Sequence, residues 1–359
     1  MKNAEVLDKS LYCDFGFSEP DIVWHTVRNA PFAVSGLLYD EELGCYTRMP
    51  NSIAEQVSPA VAHHNFHTSG GRVRFRTNSR FIDVRVVLNH NQPSTFMGDC
   101  GRFGFDMYRR KAEGSGMEFV QPFYPQGDSE EGYTGYPYMS DGEMADYVIN
   151  FPLYSGVSEL YIGLKANADI LPPTPYRNPL PVVYYGSSIT QGGCATRPGL
   201  HYPALLSRKL DTEFICLGWS GCGKGEPVMA DYIAGLQTSL FVCDYDHNAP
   251  DAEHLQKTHM PMYRKFREKQ PDAPILFMTS PVCYRAADIY TYIVRREIIR
   301  NTYSTALREG DRNVYFIDGF EFFPKETWGD CTVDRSHPND LGFSLMAQRI
   351  EKEIRHLFR

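Results

Sequence analysis

The sequence has no excess of positive charge. Lysine and arginine number 36 against 44 aspartate and glutamate residues, which gives a formal net charge of −8 at pH 7. A protein that grips nucleic-acid phosphates over a broad surface needs clustered cations. We therefore expect no nucleic-acid partner.

Long apolar runs are also missing. Runs such as Phe241-Val242-Cys243 are far shorter than the roughly 20 residues that span a bilayer. The first ten residues contain two acids and two lysines, and no apolar segment typical of a secretory signal follows them. We expect no membrane partner and a cytoplasmic location.

The cysteines lack the spacing of a disulfide framework or a zinc site. They are nine, an odd number, with no C-x-x-C pair and no tight Cys/His cluster. We expect reduced, mostly buried thiols and no structural metal. The cysteines stand at positions 13, 45, 100, 194, 216, 222, 243, 283 and 331.

What is present is ample material for a packed core. The chain has 359 residues, 42% of them hydrophobic, with 23 Tyr and 22 Phe. Such a composition excludes disorder, collagen and coiled coil as descriptions of the whole chain. At roughly 150 residues per domain, the length favours two domains.

The first half alternates apolar and polar residues in the manner of β strands. The alternation is clearest in Arg72–Thr77 and Phe81–Leu88, which the turn-forming pair Asn78-Ser79 separates. Tyr147–Phe151 and Glu159–Leu164 are further strand-like runs. We predict an antiparallel, jelly-roll-like β sandwich with one face of each strand in water.

Five prolines crowd into residues 171–181. Proline has no backbone N–H and holds the chain extended, so the segment reads as a semi-rigid connector. We place the domain boundary here, with a β-sandwich domain at 1–175 and a second domain at 176–359.

Short apolar strands alternate with helices after the connector. We predict the last helix from apolar residues at 341, 345, 346, 350, 354 and 357, with Asn339 or Asp340 as its N-cap. This alternation predicts an α/β domain with three layers around a doubly wound parallel sheet, whose site lies beyond the carboxyl ends of the strands. The predicted strands are 182–185, 214–217, 240–243, 275–278 and 314–317, and the predicted helices are 202–210, 253–268 and 286–308.

Four polar segments fall where such strand ends belong. Gly186–Thr190 places a serine on a strand-to-helix turn, and the glycine-rich Leu217–Gly225 offers backbone N–H groups to an oxyanion or a phosphate. Each is also a common kind of loop. Asp244–Pro250 contains an amide and two acids, and Asp334–Asp340 places an acid three residues before a histidine, where it can fix the imidazole tautomer.

Two groups of residues leave a metal site open as a weaker alternative. Asp244, Asp246 and His247 follow one predicted strand, but acids at strand ends are often helix caps. His63, His64 and His67 cluster in the first half, where a polar loop is the simpler interpretation.

The four segments in this order resemble the SGNH, or GDSL-type, hydrolases over about residues 180–359. The family's serine falls on Ser188, its glycine on Gly221, its asparagine on Asn248 and its histidine on His337, and Asp334 matches the acid of the family's D-x-x-H motif. A sandwich followed by this domain also resembles two-domain bacterial carbohydrate acetylesterases. The sequence departs from the family in the turn Gly186-Ser187-Ser188, where the family has G-D-S, and in Asp246–Ala249, where it has G-x-N-D.

The resemblance implies a flavodoxin-like fold, the activity of a carboxylic ester hydrolase and a separate role for each of these residues. His337 is the base for Ser188, Asp334 orients His337, and the oxyanion is held by the N–H groups of Ser188 and Gly221 and the amide of Asn248. It implies no metal and no organic cofactor.

The expected substrate is an acetylated oligosaccharide or another small ester. Trp219 lies two residues before Gly221, where it either stacks on a sugar or packs in the core. Arg197 and Lys224 either contact the substrate or are solvated loop cations. Two alternatives remain: a GDSL-type lipase or thioesterase for longer acyl chains, and an inactive carbohydrate-binding protein.

Overall fold

The structure, a computed structural model, contains three antiparallel sheets in the described residues of its N-terminal part, one of them of only two strands, and a parallel sheet in its C-terminal part. It describes residues 21–92, 94, 96–110, 116–125, 131–281 and 289–358.

The N-terminal part carries short helices between its strands. Its helices are α1 Asn51–Val57, α2 Pro59–His64 and α3 Asp99–Arg102. Its strands are β1 Ile22–Thr26, β2 Ala33–Ser35, β3 Leu38–Asp40, β4 Cys45–Thr47, β5 Arg72–Thr77, β6 Phe81–Asn89, β7 Phe105–Arg110, β8 Met117–Phe123, β9 Gly132–Thr134, β10 Tyr138–Met139, β11 Ala145–Asn150, β12 Gly156–Lys165 and β13 Ile170–Leu171.

Strands β3 and β4 pair with each other in a separate two-stranded sheet, and the other strands form the two sheets of the predicted sandwich. One sheet has the order β1-β12-β6-β10, with β9 also on β6, and the other has the order β13-β5-β11-β7-β8, with β2 also on β5. Every pairing within them is antiparallel. The inward-facing residues of both sheets, such as Phe75, Ile82, Phe105, Ile149 and Ile162, form one apolar core.

The expectation that β5 shows one face to water is wrong. Arg72 and Arg74, on its polar face, are only 2% and 7% exposed. The guanidinium of Arg72 lies 3.8 Å from the ring centroid of Phe214, and that of Arg74 lies 3.6 Å from that of Tyr176. The connector and the C-terminal part therefore cover the outer face of this strand.

The C-terminal part alternates strands and helices as predicted. Its strands are β14 Asn178–Gly186, β15 Thr212–Gly218, β16 Leu240–Asp244, β17 Ile275–Met278 and β18 Val314–Ile317. Its helices are α4 Ser188–Gln191, α5 Tyr202–Leu210, α6 Pro227–Gly235, α7 Ala252–Lys269, α8 Ile289–Arg308 and α9 Asp340–Ile354, with single 3₁₀ turns at Pro198–Leu200, Asp246–Asn248, Gly319–Glu321, Trp328–Asp330 and Arg355–Phe358. Residues 286–288 of the helix predicted over 286–308 lie outside the described residues.

The parallel sheet has the strand order β15-β14-β16-β17-β18. This is the doubly wound order in which the chain first adds a strand on one side of β14 and then builds outward on the other. The fold predicted from the sequence is confirmed. The direction of winding reverses between β14 and β16, and a crevice at the carboxyl ends of these two strands is where such folds bind ligands.

Apolar cores cover both faces of the parallel sheet, and the N-terminal part contributes to each. Met49, Ala54 and Val61 pack in the core that contains α6 and α7. Leu153 and Tyr154 pack in the core that contains α5 and α9. The two parts of the chain therefore share buried apolar surface.

One detail of the last helix is corrected. Leu341, predicted on the buried stripe, is 45% exposed, whereas Phe343 and Ala347 are fully buried. Met346, Ile350 and Ile354 are buried as predicted. The buried face of the helix therefore begins at Gly342 and Phe343 rather than at Leu341.

Seven cysteines lie in the described residues and all are free thiols, six of them buried. This confirms the expected state for those seven, and Cys13 and Cys283 lie outside the described residues. None of the helices that the structure describes has the length and apolar character needed to cross a membrane.

Candidate active site

Ser188 lies at the switch point of the parallel sheet. Strand β14 ends at Gly186, and Ser187 caps α4 by accepting a hydrogen bond from the Ile189 N–H at 3.2 Å. Ser188 is the first residue of α4. A side chain at position 186 would collide with Thr190 in the same turn, so this tight turn requires glycine.

The structure brings Ser188, His337 and Asp334 together. Ser188 Oγ is 2.8 Å from His337 Nε2, and His337 Nδ1 is 2.7 Å from Asp334 Oδ2. Because a carboxylate only accepts, the Nδ1 proton belongs to the bond with Asp334 and Nε2 accepts from the serine hydroxyl. Residues 149 positions apart thus form one continuous hydrogen-bonded chain.

The turn before α9 fixes the carboxylate. Asp334 Oδ1 accepts from the backbone N–H groups of Ser336 and His337 at 3.0 and 2.7 Å. Burial acts to raise the pKa of Asp334, but the hydrogen bonds from the backbone and ring of His337 outweigh it and hold the pKa below its usual range. The carboxylate is therefore ionised beside the imidazole at neutral pH.

Gly221 lies in the loop that follows β15. Its φ is +70°, a conformation that favours glycine, and it is exposed. Ser220 N–H donates to Gln191 Oε1 at 3.0 Å, which ties this loop to the last residue of α4. No acceptor in the described residues takes the N–H of Gly221 or of Ser188, so both are open to a ligand.

Asn248 approaches the same loop from the 3₁₀ turn after β16. Its Nδ2 donates to the carbonyl oxygen of Trp219 at 2.7 Å. A side-chain amide has two N–H donors, so one remains for an oxyanion. Asn248 therefore braces the loop that carries Gly221.

A pocket of about 240 Å³ opens beside His337. Four of its lining residues belong to the C-terminal part, and the other six come from the N-terminal part. The wall is a mixture of polar and apolar side chains, and it is lined by His64, Gln92, Ser94, Phe96, Met97, Tyr154, Gly193, Cys194, Ser220 and His337.

The expectation that Trp219 offers an aromatic face to a sugar is wrong. Trp219 is 0% exposed and belongs to the core beside α6. The guanidinium of Arg48 lies 3.9 Å from its ring centroid and covers one face. The alternative interpretation, a core tryptophan, is the correct one.

Arg197 is also no solvated loop cation. Its Nη1 is 2.8 Å from Oδ2 of the fully buried Asp106 and 2.6 Å from the hydroxyl of Tyr108, and it also lies over the ring of Phe119. The contact joins the 3₁₀ turn before α5 to strand β7. Arg197 therefore links the two parts of the chain.

The candidate metal clusters have other partners. Asp244 Oδ2 accepts from the hydroxyls of Thr190 and Tyr202, whereas Asp246 accepts from the N–H and hydroxyl of Ser280. Burial, with repulsion from Asp246, raises the pKa of Asp244 well above its usual range. Within the described residues, no group of three His, Cys, Asp or Glu side chains has the arrangement of a metal site.

In the histidine cluster, His63 and His64 are the last two residues of α2 rather than part of a loop, and His64 lines the pocket. The rings of His64 and His67 lie with centroids 4.8 Å apart, and their Nδ1 atoms are 3.1 Å apart. Burial, with the nearby Arg48 and His63, lowers the pKa of His64 to about 4. His64 is therefore neutral at physiological pH.

Sequence reasoning missed several contacts that support the candidate active site. His247 Nε2 lies 2.9 Å from the hydroxyl of Ser336, next to His337. Gln191 holds Ser220 and also donates to the carbonyl oxygen of Leu153 at 3.1 Å. His247 lies within the segment Asp244–Pro250, but no sequence pattern distinguishes Gln191 or Arg48.

This arrangement defines a class of protein: a hydrolase with a serine, a histidine and an acid at the carboxyl edge of the parallel sheet of an α/β domain. Residues 180–355 match the GDSL-like Lipase/Acylhydrolase family, and residues 22–170 match the family described as the N-terminus of Esterase_SGNH_hydro-type. The chain belongs to the SGNH/GDSL hydrolases with an N-terminal β-sandwich and is a carboxylic ester hydrolase.

Solved structures share the architecture of both parts. A Bacteroides ovatus protein described as a GDSL-like lipase is 25% identical, with a TM-score of 0.83 over 94% of this chain and 98% of that one. The salicylyl-acyltransferase SsfX3 from a tetracycline biosynthetic pathway is 19% identical, with a TM-score of 0.76 over 95% and 98%. The acetyl xylan esterase Est2A from the rumen bacterium Butyrivibrio proteoclasticus is 12% identical, with a TM-score of 0.60 over 94% and 100%. No curated protein matches this sequence.

Proposed function

We propose that this protein is a serine esterase that removes short acyl groups, acetyl above all, from carbohydrate O-esters. The observation that carries the proposal is the continuous chain from Ser188 Oγ through His337 to Asp334, at 2.8 and 2.7 Å, beside a pocket. A hydroxyl hydrogen-bonded to an imidazole, which is in turn hydrogen-bonded to a carboxylate, is the arrangement of a serine nucleophile with its base.

The reaction proceeds in two acyl transfers. Ser188 Oγ attacks the ester carbonyl carbon while its proton passes to His337 Nε2, and His337 then gives that proton to the departing alcohol oxygen. Water attacks the acyl-enzyme in the same way and releases the acid and free Ser188. Asp334 stabilises the imidazolium that forms in each step.

Three hydrogen-bond donors stabilise the negatively charged oxygen that develops in both steps. These are the N–H groups of Ser188 and Gly221 and the amide of Asn248, whose free N–H is held near the loop by its bond to Trp219. One such donor typically contributes about 3–4 kcal/mol to lowering the barrier.

The pocket supports a short acyl group and a polar alcohol. Its volume of about 240 Å³ lies below the roughly 300–1,000 Å³ of typical ligand pockets. Its polar wall, with His64, Gln92 and Ser94, is suited to sugar hydroxyls. The acetyl xylan esterase among the structural neighbours shares this fold, and we extend its substrate class to this chain on those grounds.

The first test replaces the two serines of the turn at the start of α4, Ser188 and Ser187, one at a time. Ser188→Ala is expected to abolish ester hydrolysis and labelling by a fluorophosphonate while the circular dichroism spectrum is unchanged. Ser187→Ala is the matched control: it removes only a helix cap, so we expect some loss of stability and kcat within about threefold of wild type. Full activity of the Ser188 variant would place the nucleophile elsewhere.

A chain-length series then separates the acetylesterase from the lipase or thioesterase. We expect kcat/KM on p-nitrophenyl esters to be highest for acetate and to fall as the acyl chain lengthens. A preference for octanoate or longer esters contradicts the proposal. Mass spectrometry of acetylated oligosaccharides after incubation identifies the sugar. The division at about residue 175, the cytoplasmic location and the absence of a cofactor stay predictions.

A further inference from the structure

Arg48 is a residue of the N-terminal part that reaches the loop carrying Gly221. It follows strand β4 and is only 2% exposed. Its backbone N–H donates to the carbonyl oxygen of Asn65 at 3.1 Å, and the next residue, Met49, exchanges two hydrogen bonds of 3.0 Å with the Asn65 side chain. The position of Arg48 is therefore fixed by the end of α2.

Its guanidinium grips the start of the loop in two ways. It donates to the carbonyl oxygens of Gly218 and His64, and it lies over Trp219 at 3.9 Å from the ring centroid. A guanidinium group can donate hydrogen bonds to two carbonyl oxygens while its plane packs on an aromatic ring. An ammonium group does neither well.

Arg48 has no carboxylate partner within 4 Å among the described residues. Burial lowers its pKa to about 10, so it is still a cation at neutral pH. A buried cation that binds only carbonyl oxygens and an aromatic face is costly to desolvate. Its positive potential acts on the segment that it touches, which is the loop of Gly221.

The loop is held at three successive residues. Gly218 accepts from Arg48, the carbonyl of Trp219 accepts from Asn248, and the N–H of Ser220 donates to Gln191. The next residue is Gly221. Of these three supports, only the one from Arg48 comes from outside the C-terminal part.

We propose that Arg48 is a positioning residue for the oxyanion hole: it holds the segment Gly218–Gly221 so that the Gly221 N–H and the Asn248 amide converge on the substrate oxygen. The inference rests on the proposed function and gives the N-terminal part a role in catalysis besides lining the pocket. Because the oxyanion exists only in the transition state, the effect falls on kcat more than on KM.

The decisive variant is Arg48→Lys, which keeps the charge but loses the fork and the stacked plane. We expect kcat on p-nitrophenyl acetate to fall about 10- to 100-fold, with KM within threefold of wild type. Arg72→Lys is the matched control, because Arg72 is also 2% exposed, also comes from the N-terminal part and also lies over an aromatic ring of β15, that of Phe214 at 3.8 Å. It touches the start of β15 rather than the loop, and its kcat is expected within threefold of wild type.

A transition-state mimic separates positioning from a general loss of structure. Phenylboronic acid binds by forming a bond between its boron and Ser188 Oγ while the serine proton passes to His337, and the tetrahedral adduct fills the oxyanion hole. In Arg48→Lys its inhibition constant is expected to rise in parallel with the loss of kcat/KM. An unchanged kcat and inhibition constant in this variant, or an equal loss in Arg72→Lys, overturns the inference.

If Arg48→Lys does not fold, Trp219→Phe supplies the same test with a smaller aromatic face under the guanidinium. We expect kcat to fall about three- to tenfold and the inhibition constant to rise equally, and unchanged values overturn the inference. Failure of the proposed function itself has a different signature, since wild-type protein then shows neither ester hydrolysis nor fluorophosphonate labelling at Ser188.

Discussion

At the scale of single residues, the site depends on groups whose chemistry is set by one or two hydrogen bonds. His337 has its Nδ1 at Asp334 and its Nε2 at Ser188, so one proton position is selected out of two. Asp334 does this while accepting two backbone N–H groups. In the proposed reaction the serine therefore passes its proton to the histidine.

Replacing Asp334 by asparagine tests that polarity. The amide of Asp334→Asn favours the wrong tautomer and cannot stabilise the imidazolium, so we expect kcat to fall about 10³- to 10⁴-fold with KM little changed. Steady-state kinetics on p-nitrophenyl acetate measures the effect.

Asp330→Asn, on the exposed 3₁₀ turn of the same loop, is the control. We expect it to keep kcat within about twofold of wild type. Equal activity of the two variants would show that Asp334 does not act on His337.

At the scale of elements, helix α9 holds the loop of Asp334 and His337 in place. Asn339 is its N-cap, since its Oδ1 accepts from the Gly342 N–H at 3.1 Å. Its Nδ2 also donates to the carbonyl oxygen of Asp330 at 2.6 Å. Asp340, the other predicted cap, instead accepts from the N–H and hydroxyl of Thr196 at 2.9 and 2.6 Å. The two neighbouring residues therefore tie the helix to different loops.

The cap can be removed without touching the site. We expect Asn339→Ala to lower the free energy of unfolding by about 1–2 kcal/mol, because the Gly342 N–H and the Asp330 carbonyl both lose a partner. Urea denaturation gives the value. Asn339→Asp restores the cap to Gly342 only, so its stability is expected between those of the alanine variant and wild type; a stability below the alanine variant would contradict the assignment.

At the scale of the whole molecule, the N-terminal part completes the C-terminal part. Met49, Ala54 and Val61 fill one of its cores and Leu153 and Tyr154 fill the other, all of them buried. Six of the ten pocket residues also come from before residue 176.

This sharing predicts the behaviour of residues 176–359 expressed alone. The exposed cores and the missing pocket wall should leave a protein that binds the dye ANS, aggregates on gel filtration and has no measurable esterase activity. A monodisperse, active fragment would show that the shared surface is dispensable.

Buried histidines give the whole molecule a pH-dependent stability. Burial lowers the pKa of His201 and His259 to about 3, and burial with nearby cations lowers that of His64 to about 4, all below the ordinary 6.5. Such groups take up protons on unfolding below pH about 6.5. The contribution of these histidines to the free energy of unfolding is therefore fully present above this pH and is lost progressively as the pH falls toward 4 and 3.

We expect the free energy of unfolding to fall by about 1–4 kcal/mol per pH unit between pH 6 and pH 4, the range for one to three protons taken up. Calorimetry in buffers of different ionisation enthalpy counts the protons directly. His201→Leu should make the slope shallower and raise Tm at neutral pH, because both ring nitrogens of His201 are buried without a hydrogen-bond partner. A Tm independent of pH over this range contradicts the prediction.

The sequence by itself predicted the fold, which the structure confirms, and the residues that we propose to react. Strand and helix periodicity is a local property, so β14 to β18 could be read from short apolar runs, and the parallel order then placed Ser188 and His337 at one edge. The motifs around Gly221 and Asn248 are equally local.

Only the tertiary structure decided what surrounds those groups. The sequence left open whether Trp219 faces a sugar or lies in the core, and whether Arg197 contacts the substrate or is solvated. In the structure Arg48 covers Trp219, and Asp106 pairs with the half-buried Arg197. Contacts of this kind join residues 91 or more positions apart, and no periodicity marks them. Burial and support depend on how the two parts of the chain pack, and each part has its own sequence pattern. The sequence therefore predicted the candidate reacting residues but not the contacts that surround them.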